Sequence, residues 1–401
     1  MARRITHPPR SDIRIMDPEF HRNPFTAYEW MREHAPVYYD AEAPVYGGRG
    51  AWGIASYRAI RFVATHHEQF ISGRGSRPDA PPVPSMINQD APEHLARRSI
   101  NRRRFTPHAV RRYEDYVREV AVELIEAVRH QGHCDLVADL AMPLPMRVIG
   151  HMMQLPEADY ARLLKWSDLI ATGLSNMPAE FEREVLAAAT EFEHYITDWF
   201  QQRSEAPGED ILSAIVRAKV LGRLLGHKDK VHEALLLLVG GDETTRHVIT
   251  GGVAALLDNP EQLEALRRDP GLMSTAVEEM LRWVTPVKTL AREVVEDIEL
   301  EGQGLAAGDR VIMLFESGNR DAAQFNQADE FDISRDPNRH LSFGGYGRHH
   351  CLGAHLARLE IRVMLEELLS RLPGLRRAQD GGASRRYGTF VLGYESFPVQ
   401  F

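Results

Sequence analysis

The chain has 401 residues, of which 43% are hydrophobic, and carries a formal net charge of -9. This composition supports a large buried core and excludes a disordered protein, while the negative charge argues against nucleic acid as a partner. Neither a long apolar run that would form a membrane anchor nor enough cysteine for a disulfide framework is present, so a cytoplasmic protein is expected, with Cys134 as a packing residue.

The first part of the chain mixes β-prone runs with helical pieces, and a Pro/Gly-rich loop follows them. The central part, from His108 to about Leu256, repeats apolar residues at helical spacing with breaks near several prolines. The remaining segments are β-prone at 298–300 and 311–315, turn-rich at 319–347, helical up to Leu372 and β-prone at the end. We therefore predict one mainly α domain over residues 1–401 with a small β-rich part.

A glycine-rich loop surrounds Cys351 and directly precedes a helical pattern. Glycine lets the backbone approach a flat ligand closely, and the first N–H groups of a helix stabilise a thiolate. For an isolated motif, a turn with a buried free cysteine would be the better interpretation. The fitting residues around it favour a ligand site, and they are Phe343, Gly347, His349, Cys351 and Gly353.

This segment resembles the haem-binding loop of the cytochrome P450 family. Phe343 lies eight residues before Cys351, one more than is usual, as in a steroid- and branched-lipid-oxidising bacterial branch of the family. The resemblance implies the triangular, mainly α cytochrome P450 fold. It also implies haem b as cofactor, with the Cys351 thiolate as the ligand of its iron.

An apolar helical run, which includes Leu237, leads into Gly240-Gly241-Asp242-Glu243-Thr244-Thr245. Each glycine costs a helix roughly 1 kcal/mol relative to alanine, so two glycines in the middle of a helix need an explanation. A groove for oxygen and substrate at Gly240 would explain them. The alternative is that one helix ends at Gly240 and another begins near Thr244. The run resembles the family's proton-delivery motif, which implies relay roles for Glu243 and Thr244.

Haem propionates require cations, preferably arginine, whose planar fork matches a carboxylate. His94 and Arg98 lie one helical turn apart and resemble the family's propionate clamp, and Arg292 and His349 match its other two positions. A solvated charge is the alternative for each residue taken alone.

Glu279 and Arg282 lie three residues apart, on one face of a predicted helix. Such a pair is usually a surface salt bridge. The resemblance implies instead a structural pair that fixes the segment before the cysteine loop.

The resemblance implies a monooxygenase that inserts one atom of O2 into a lipophilic substrate, namely a steroid, a terpenoid or a branched lipid. Electrons would come from NAD(P)H through a ferredoxin reductase and a ferredoxin. A peroxide-driven haem enzyme and a non-catalytic haem-based gas sensor are the alternatives, and neither needs a proton relay at Glu243 and Thr244. A zinc site at His349, His350 and Cys351 lacks a fourth ligand at suitable spacing.

Mostly apolar residues occupy the segments that would form the family's substrate pocket, which favours a lipophilic substrate. These segments include the loop 71–87 and the helical region 166–181. The predicted pocket residues are Ile87, Leu237, Val287, Leu290, Phe390 and Val391.

Arginines flank both the predicted propionate helix and Cys351, and they predict a basic docking patch for an acidic ferredoxin. The alternative is that they solvate helix faces or bind propionates. They are Arg97, Arg102, Arg103, Arg104, Arg348, Arg358 and Arg362.

Overall fold

The computed structural model describes residues 3–174, 181–379 and 382–401. Helices make up about half of the described chain. They are α1 (Phe25–His34), α2 (Tyr57–Thr65), α3 (Glu93–Arg102), α4 (Pro107–Arg111), α5 (Glu114–Arg129), α6 (Pro143–Met152), α7 (Tyr160–Leu174), α8 (Glu182–Glu205), α9 (Ile211–Arg217), α10 (His227–Asp258), α11 (Pro260–Arg268), α12 (Met273–Val284), α13 (Phe315–Gly318) and α14 (Ala354–Arg371).

The strands are short and lie mainly near the two ends of the chain and between α12 and α13. They are β1 (Val37–Val45), β2 (Gly48–Ile54), β3 (Phe70–Ile71), β4 (His133–Asp135), β5 (Lys219–Val220), β6 (Arg223–Leu224), β7 (Thr289–Val294), β8 (Ile298–Leu300), β9 (Gln303–Leu305), β10 (Arg310–Leu314), β11 (Arg376–Arg377), β12 (Ser384–Arg385), β13 (Tyr394–Ser396) and β14 (Pro398–Gln400).

The largest sheet has the strand order β1-β2-β10-β7-β3. Within it β1 and β2 form an antiparallel hairpin, β10 runs parallel to β2, and β7 pairs antiparallel with both β10 and β3. This sheet therefore joins the N-terminal part of the chain to the segment between α12 and α13, and it holds β7, the strand that carries Arg292, in its interior.

The long helix α10 crosses the centre of the molecule and is about 48 Å long, at about 1.5 Å per residue. It packs against α6, α7, α12 and α14. Close packing on α12 requires glycine, since a Cβ at Gly252 would lie 2.1 Å from the terminal carbon of Met280. Because α10 continues through Gly240 and Gly241, the alternative of a helix end at Gly240 is wrong.

The main apolar core lies between α10 and its neighbours, and Val120, Ile149, Val253 and Leu365 are among its fully buried residues. Two smaller clusters lie on the two faces of the largest sheet. A mainly α fold with a small β-rich part is thus confirmed, and the β-prone runs at 298–300 and 311–315 coincide with β8 and β10. Within the described ranges, no helix is long and apolar enough to span a membrane.

Candidate active site

The loop before α14 closes on itself around Cys351. The Cys351 backbone N–H donates to the Phe343 carbonyl at 2.9 Å, and consecutive positive φ angles at Gly344, Gly345 and Tyr346 turn the chain between them. The Cys351 side chain remains accessible. Desolvation by the protein packed around this accessible side chain raises the pKa of the thiol, and the Gly353 N–H and Arg98 oppose that effect.

Four nitrogen-bearing side chains predicted from sequence converge beside this loop. The His94 and His349 rings lie 4.0 Å apart between centroids, and Arg98 donates to the His350 carbonyl at 2.7 Å. Arg292 is buried, and within the described chain its guanidinium donates only to the neighbouring Ala291 carbonyl. Among the described residues, no carboxylate lies within ion-pair distance of Arg98 or Arg292. The cluster is therefore suited to bind an anion.

The electrostatics of this cluster agree with its geometry. Burial lowers the pKa of Arg292 to about 10, and burial together with Arg98 lowers the pKa of His94 to about 4. Burial and Arg292 lower the pKa of His349 to about 2. A carboxylate ligand would relieve this concentration of positive charge, since nearby negative charge stabilises cations.

Gly240 and Thr244 lie on one face of α10, one turn apart. A Cβ added at Gly240 would meet nothing within 4 Å, which marks open space beside the centre of the helix. The Thr244 hydroxyl donates to the Gly240 carbonyl at 3.0 Å. This face of α10 therefore offers a groove with a hydroxyl at its edge.

Glu243 is buried next to Thr244 and pairs with Arg246 at 2.6 Å. Arg246 also pairs with Asp168 of α7 at 2.7 Å, and Arg386, which follows β12, pairs with Asp168 at 3.0 Å. Burial raises the pKa of Glu243, and this effect outweighs the opposing effect of Arg246. An acid with a raised pKa beside a groove can accept and release protons near neutral pH.

Two of the apolar segments predicted to line a pocket lie side by side. Val287 bridges Val391, and the Lys288 N–H donates to the Phe390 carbonyl at 2.7 Å. Leu290 is half-buried on β7, Leu237 is buried on α10 and Ile87 is half-buried in a short helical turn. Of the helical region 166–181, residues 175–180 lie outside the described residues.

Glu279 and Arg282 are fully buried and form a bidentate ion pair at 2.6 and 2.7 Å. Arg282 also donates to the carbonyls of Asn319 and Ala328, and Glu279 accepts from the Asp332 N–H. The pair thus fixes the irregular segment that leads to the cysteine loop. The surface salt bridge considered from sequence is wrong, because neither side chain is exposed.

The comparisons with known proteins agree with this site. The Cytochrome P450 family model matches residues 271–373. Steroid C26-monooxygenase of Mycobacterium tuberculosis is 40% identical over 97% of this chain and 97% of that protein. The chain belongs to the cytochrome P450 family.

Two further relatives of this P450 support the assignment. Methyl-branched lipid omega-hydroxylase of Mycobacterium bovis is 35% identical over 100% of this chain and 98% of that protein. The structure of the Mycobacterium marinum cytochrome P450 CYP268A2 in complex with pseudoionone has a TM-score of 0.92 and 31% identity, and it covers 99% of this chain and 100% of that one. The predicted P450 fold and monooxygenase activity are confirmed.

Haem b, the cofactor of cytochromes P450, fits the residues of this P450. The arginines without carboxylate partners, the accessible Cys351 and the open space beside Gly240 are what an iron porphyrin with two carboxylates requires. Over the described parts of the chain, no group of three or more His, Cys, Asp and Glu side chains is arranged to hold a metal ion. The zinc alternative at His349, His350 and Cys351 therefore lacks a ligand set.

Several contacts of this P450 site were not predicted from sequence. Arg246 follows Glu243 by one helical turn, so its spacing could have indicated the ion pair. Asp168 and Arg386 carry no local signal, because Asp168 meets Arg246 and Arg386 only through the tertiary fold. Ser72, whose hydroxyl lies 3.1 Å from His349 Nε2, was missed for the same reason.

The predicted basic patch of this P450 is smaller than the sequence suggested. Arg97 is buried in ion pairs with acids of α3 and α10, and Arg104 donates to the Glu209 carbonyl. Arg358 pairs with Glu278, and Arg362 pairs with two glutamates. Among the described residues, Arg102, Arg103 and Arg348 remain exposed and without an acidic partner.

Proposed function

We propose that this P450 hydroxylates the branched alkyl chain of a steroid or a methyl-branched lipid, using O2 and electrons that pass from NAD(P)H through a ferredoxin reductase and a ferredoxin. The observation that carries the substrate class is the similarity, over nearly the whole chain, to a steroid C26-monooxygenase and a methyl-branched lipid omega-hydroxylase. The pairing of Val287 with Val391 joins two mostly apolar segments, which agrees with a lipophilic substrate. The small number of cysteines supports a cytoplasmic location.

Within this proposal, Cys351 Sγ holds the haem iron, and His94, Arg98, Arg292 and His349 hold the propionates. When bound, haem b supplies the activation of O2 and the oxidation of the substrate. The predicted apolar pocket residues, among them Leu237, Val287 and Val391, orient the substrate chain in the groove beside Gly240.

Thr244 Oγ and the Glu243 carboxyl form the proton relay of this proposal. The Thr244 hydroxyl can turn from the Gly240 carbonyl and donate into the groove, and Glu243 can restore its proton. Protons delivered in this way allow water to leave as the reduced product. The single P450 domain over residues 1–401 stays a prediction.

The substrate class is tested with cholesterol, phytanic acid and two matched controls, using a bacterial ferredoxin, its reductase and isotopically labelled O2. Pregnenolone keeps the steroid rings without the long side chain, and palmitic acid lacks the methyl branches. We expect labelled hydroxyl groups on the branched chain of cholesterol or phytanic acid. Oxidation of pregnenolone or palmitic acid at equal or higher kcat/KM would contradict the proposal, as would product formation that requires hydrogen peroxide in place of O2.

The proton relay predicts the behaviour of Thr244→Ala. NAD(P)H consumption should continue, while the amount of product per NAD(P)H falls by about tenfold or more and hydrogen peroxide rises, because the hydroxyl no longer delivers a proton. The three quantities are measured in one reconstituted reaction.

Thr250→Ala is the matched control for this prediction, because Thr250 makes the same hydrogen bond one turn back along α10, to the Arg246 carbonyl at 3.0 Å. This variant should retain its coupling of NAD(P)H to product. Equal coupling in the wild type and in Thr244→Ala would refute the relay.

Electron supply by a ferredoxin predicts a charge effect at the exposed arginines. We expect Arg102→Glu with Arg103→Glu to slow reduction by about tenfold at low salt and to leave substrate affinity unchanged, because an acidic partner loses its attraction. Raising the salt should slow the wild type as well, since screening acts over about 10 Å at 0.1 M. Stopped-flow reduction by the ferredoxin measures both effects.

The matched control reverses two exposed cations on other helices, Lys165 of α7 and Arg268 of α11, and makes the same change in net charge. Reduction of this control should match that of the wild type. If both double variants slow equally, or neither slows, the docking face is elsewhere.

A further inference from the structure

His247 lies on the groove face of α10 beyond the proposed relay. It follows Gly240 by seven residues and Thr244 by three, so the three side-chain positions share one face of the helix. The side chain is 2% exposed. It packs tightly on the backbone just before β13, because a Cβ at Gly393 would lie 2.0 Å from His247 Nδ1.

Neither ring nitrogen of His247 has a hydrogen-bond partner within the described chain, and Glu243 Oε1 also has none. His247 Nε2 lies 3.9 Å from Glu243 Oε2. This distance is too long for a direct hydrogen bond, but a small rotation of Glu243 or one bridging water would close it. Buried polar groups nearly always have a hydrogen-bond partner, so the His247 ring and the Glu243 carboxyl are the natural partners of each other.

The charges around His247 keep its ring neutral. Arg246 on the same helix, Arg386 after β12 and Lys288 before β7 face it, and burial together with these cations lowers the pKa of His247 well below its ordinary value. A neutral imidazole has one N–H and one lone pair. It can therefore donate to an ionised Glu243 and accept from a protonated Glu243, whereas a cation such as Arg246 can only donate.

We propose that His247 is a positioning residue of the proton relay, whose imidazole hydrogen-bonds the Glu243 carboxyl and holds it toward Thr244. The competing position of Glu243 is its ion pair with Arg246, which also binds Asp168. This inference rests on the proposed function, since it assigns the group that orients its relay acid.

The test compares two substitutions in the haem-loaded enzyme. His247→Leu fills a similar volume without a hydrogen bond, and His247→Gln can place an amide near the position of Nε2. With cholesterol as substrate, we expect His247→Leu to lower product per NAD(P)H by about threefold to tenfold, the effect of losing one hydrogen bond. His247→Gln should recover at least about half of the loss. Should the leucine variant not fold, His247→Asn, whose side chain is too short to reach Glu243, replaces it.

A second readout follows the Glu243 carboxyl itself and needs no turnover. Infrared difference spectra identify the carboxyl C=O band as the one absent from Glu243→Gln. The band should shift to higher frequency in His247→Leu, because the hydrogen bond is lost, and should return toward its original position in His247→Gln.

An unshifted Glu243 band in His247→Leu would overturn the inference. Weaker binding of cholesterol with unchanged coupling would also overturn it, since His247 would then contact the substrate. If Thr244→Ala and Glu243→Gln uncouple the enzyme and His247→Leu does not, only the role of His247 fails. If none of them uncouples, the relay itself fails.

Discussion

Replacing Cys351 with alanine is expected to abolish the long-wavelength Soret band of the reduced carbon monoxide complex, together with all NAD(P)H-dependent hydroxylation. A Cys351 thiolate would hold the haem iron and supply electron density to it, which no other residue in the loop can do. Alanine leaves the Cys351 N–H bond to the Phe343 carbonyl in place, so the loop should keep its shape. Absorption spectra of the reduced, carbon monoxide-treated variant measure the loss.

Cys134→Ala is the control for this substitution. Cys134 is buried between β14 and the main core, and burial raises the pKa of its thiol to about 12, so it is neither accessible nor ionised. The variant should keep the Soret band and its activity. Retention of the band in Cys351→Ala and its loss in Cys134→Ala would move the ligand to Cys134.

Glu279→Gln should destabilise the fold by about 3–5 kcal/mol, because it leaves the Arg282 guanidinium buried without its counter-charge. The substitution also weakens the contacts that Glu279 makes with Asp332, Arg335 and Asn338. Since these contacts hold the segment before the cysteine loop, haem retention should fall with stability. Urea denaturation followed by circular dichroism gives the free energy of unfolding.

The neighbouring glutamate provides the control. Glu278 also pairs with an arginine, Arg358, but its side chain is 25% exposed. Water can replace part of that interaction, and Glu278→Gln should therefore cost clearly less than Glu279→Gln. Equal losses in the two variants would mean that burial of the Glu279–Arg282 pair contributes nothing special.

The parts of the site that could be predicted from sequence are those that lie close together along the chain. The cysteine loop, the Gly240 to Thr245 run and the Glu279–Arg282 pair each occupy a few residues, and the local pattern carries their chemistry. How these three parts are arranged around one site could be predicted only from the family resemblance, because they occur along the chain in the order that the family shows. The sequence predicts a helix through the two central glycines of α10, because the apolar residues around them favour a buried helix.

The contacts that escaped prediction are formed by residues far apart in sequence. The network of Asp168, Arg246 and Arg386 joins three separate elements. The prediction of the basic patch was wrong in part for the same reason, because Arg97 and Arg358 form ion pairs with carboxylates on other helices. A count of arginines in a segment cannot show which of them are already neutralised by tertiary ion pairs.

The additional residue of the cysteine loop has a consequence for how such enzymes differ from one another. The hydrogen bond between the Cys351 N–H and the Phe343 carbonyl closes the inner side of the loop, so the added length is displayed outside it, where Tyr346 is 46% exposed and lies under Arg61. Two family members with loops of different length can therefore keep the same hydrogen bond around the cysteine and yet present different outer rims to solvent.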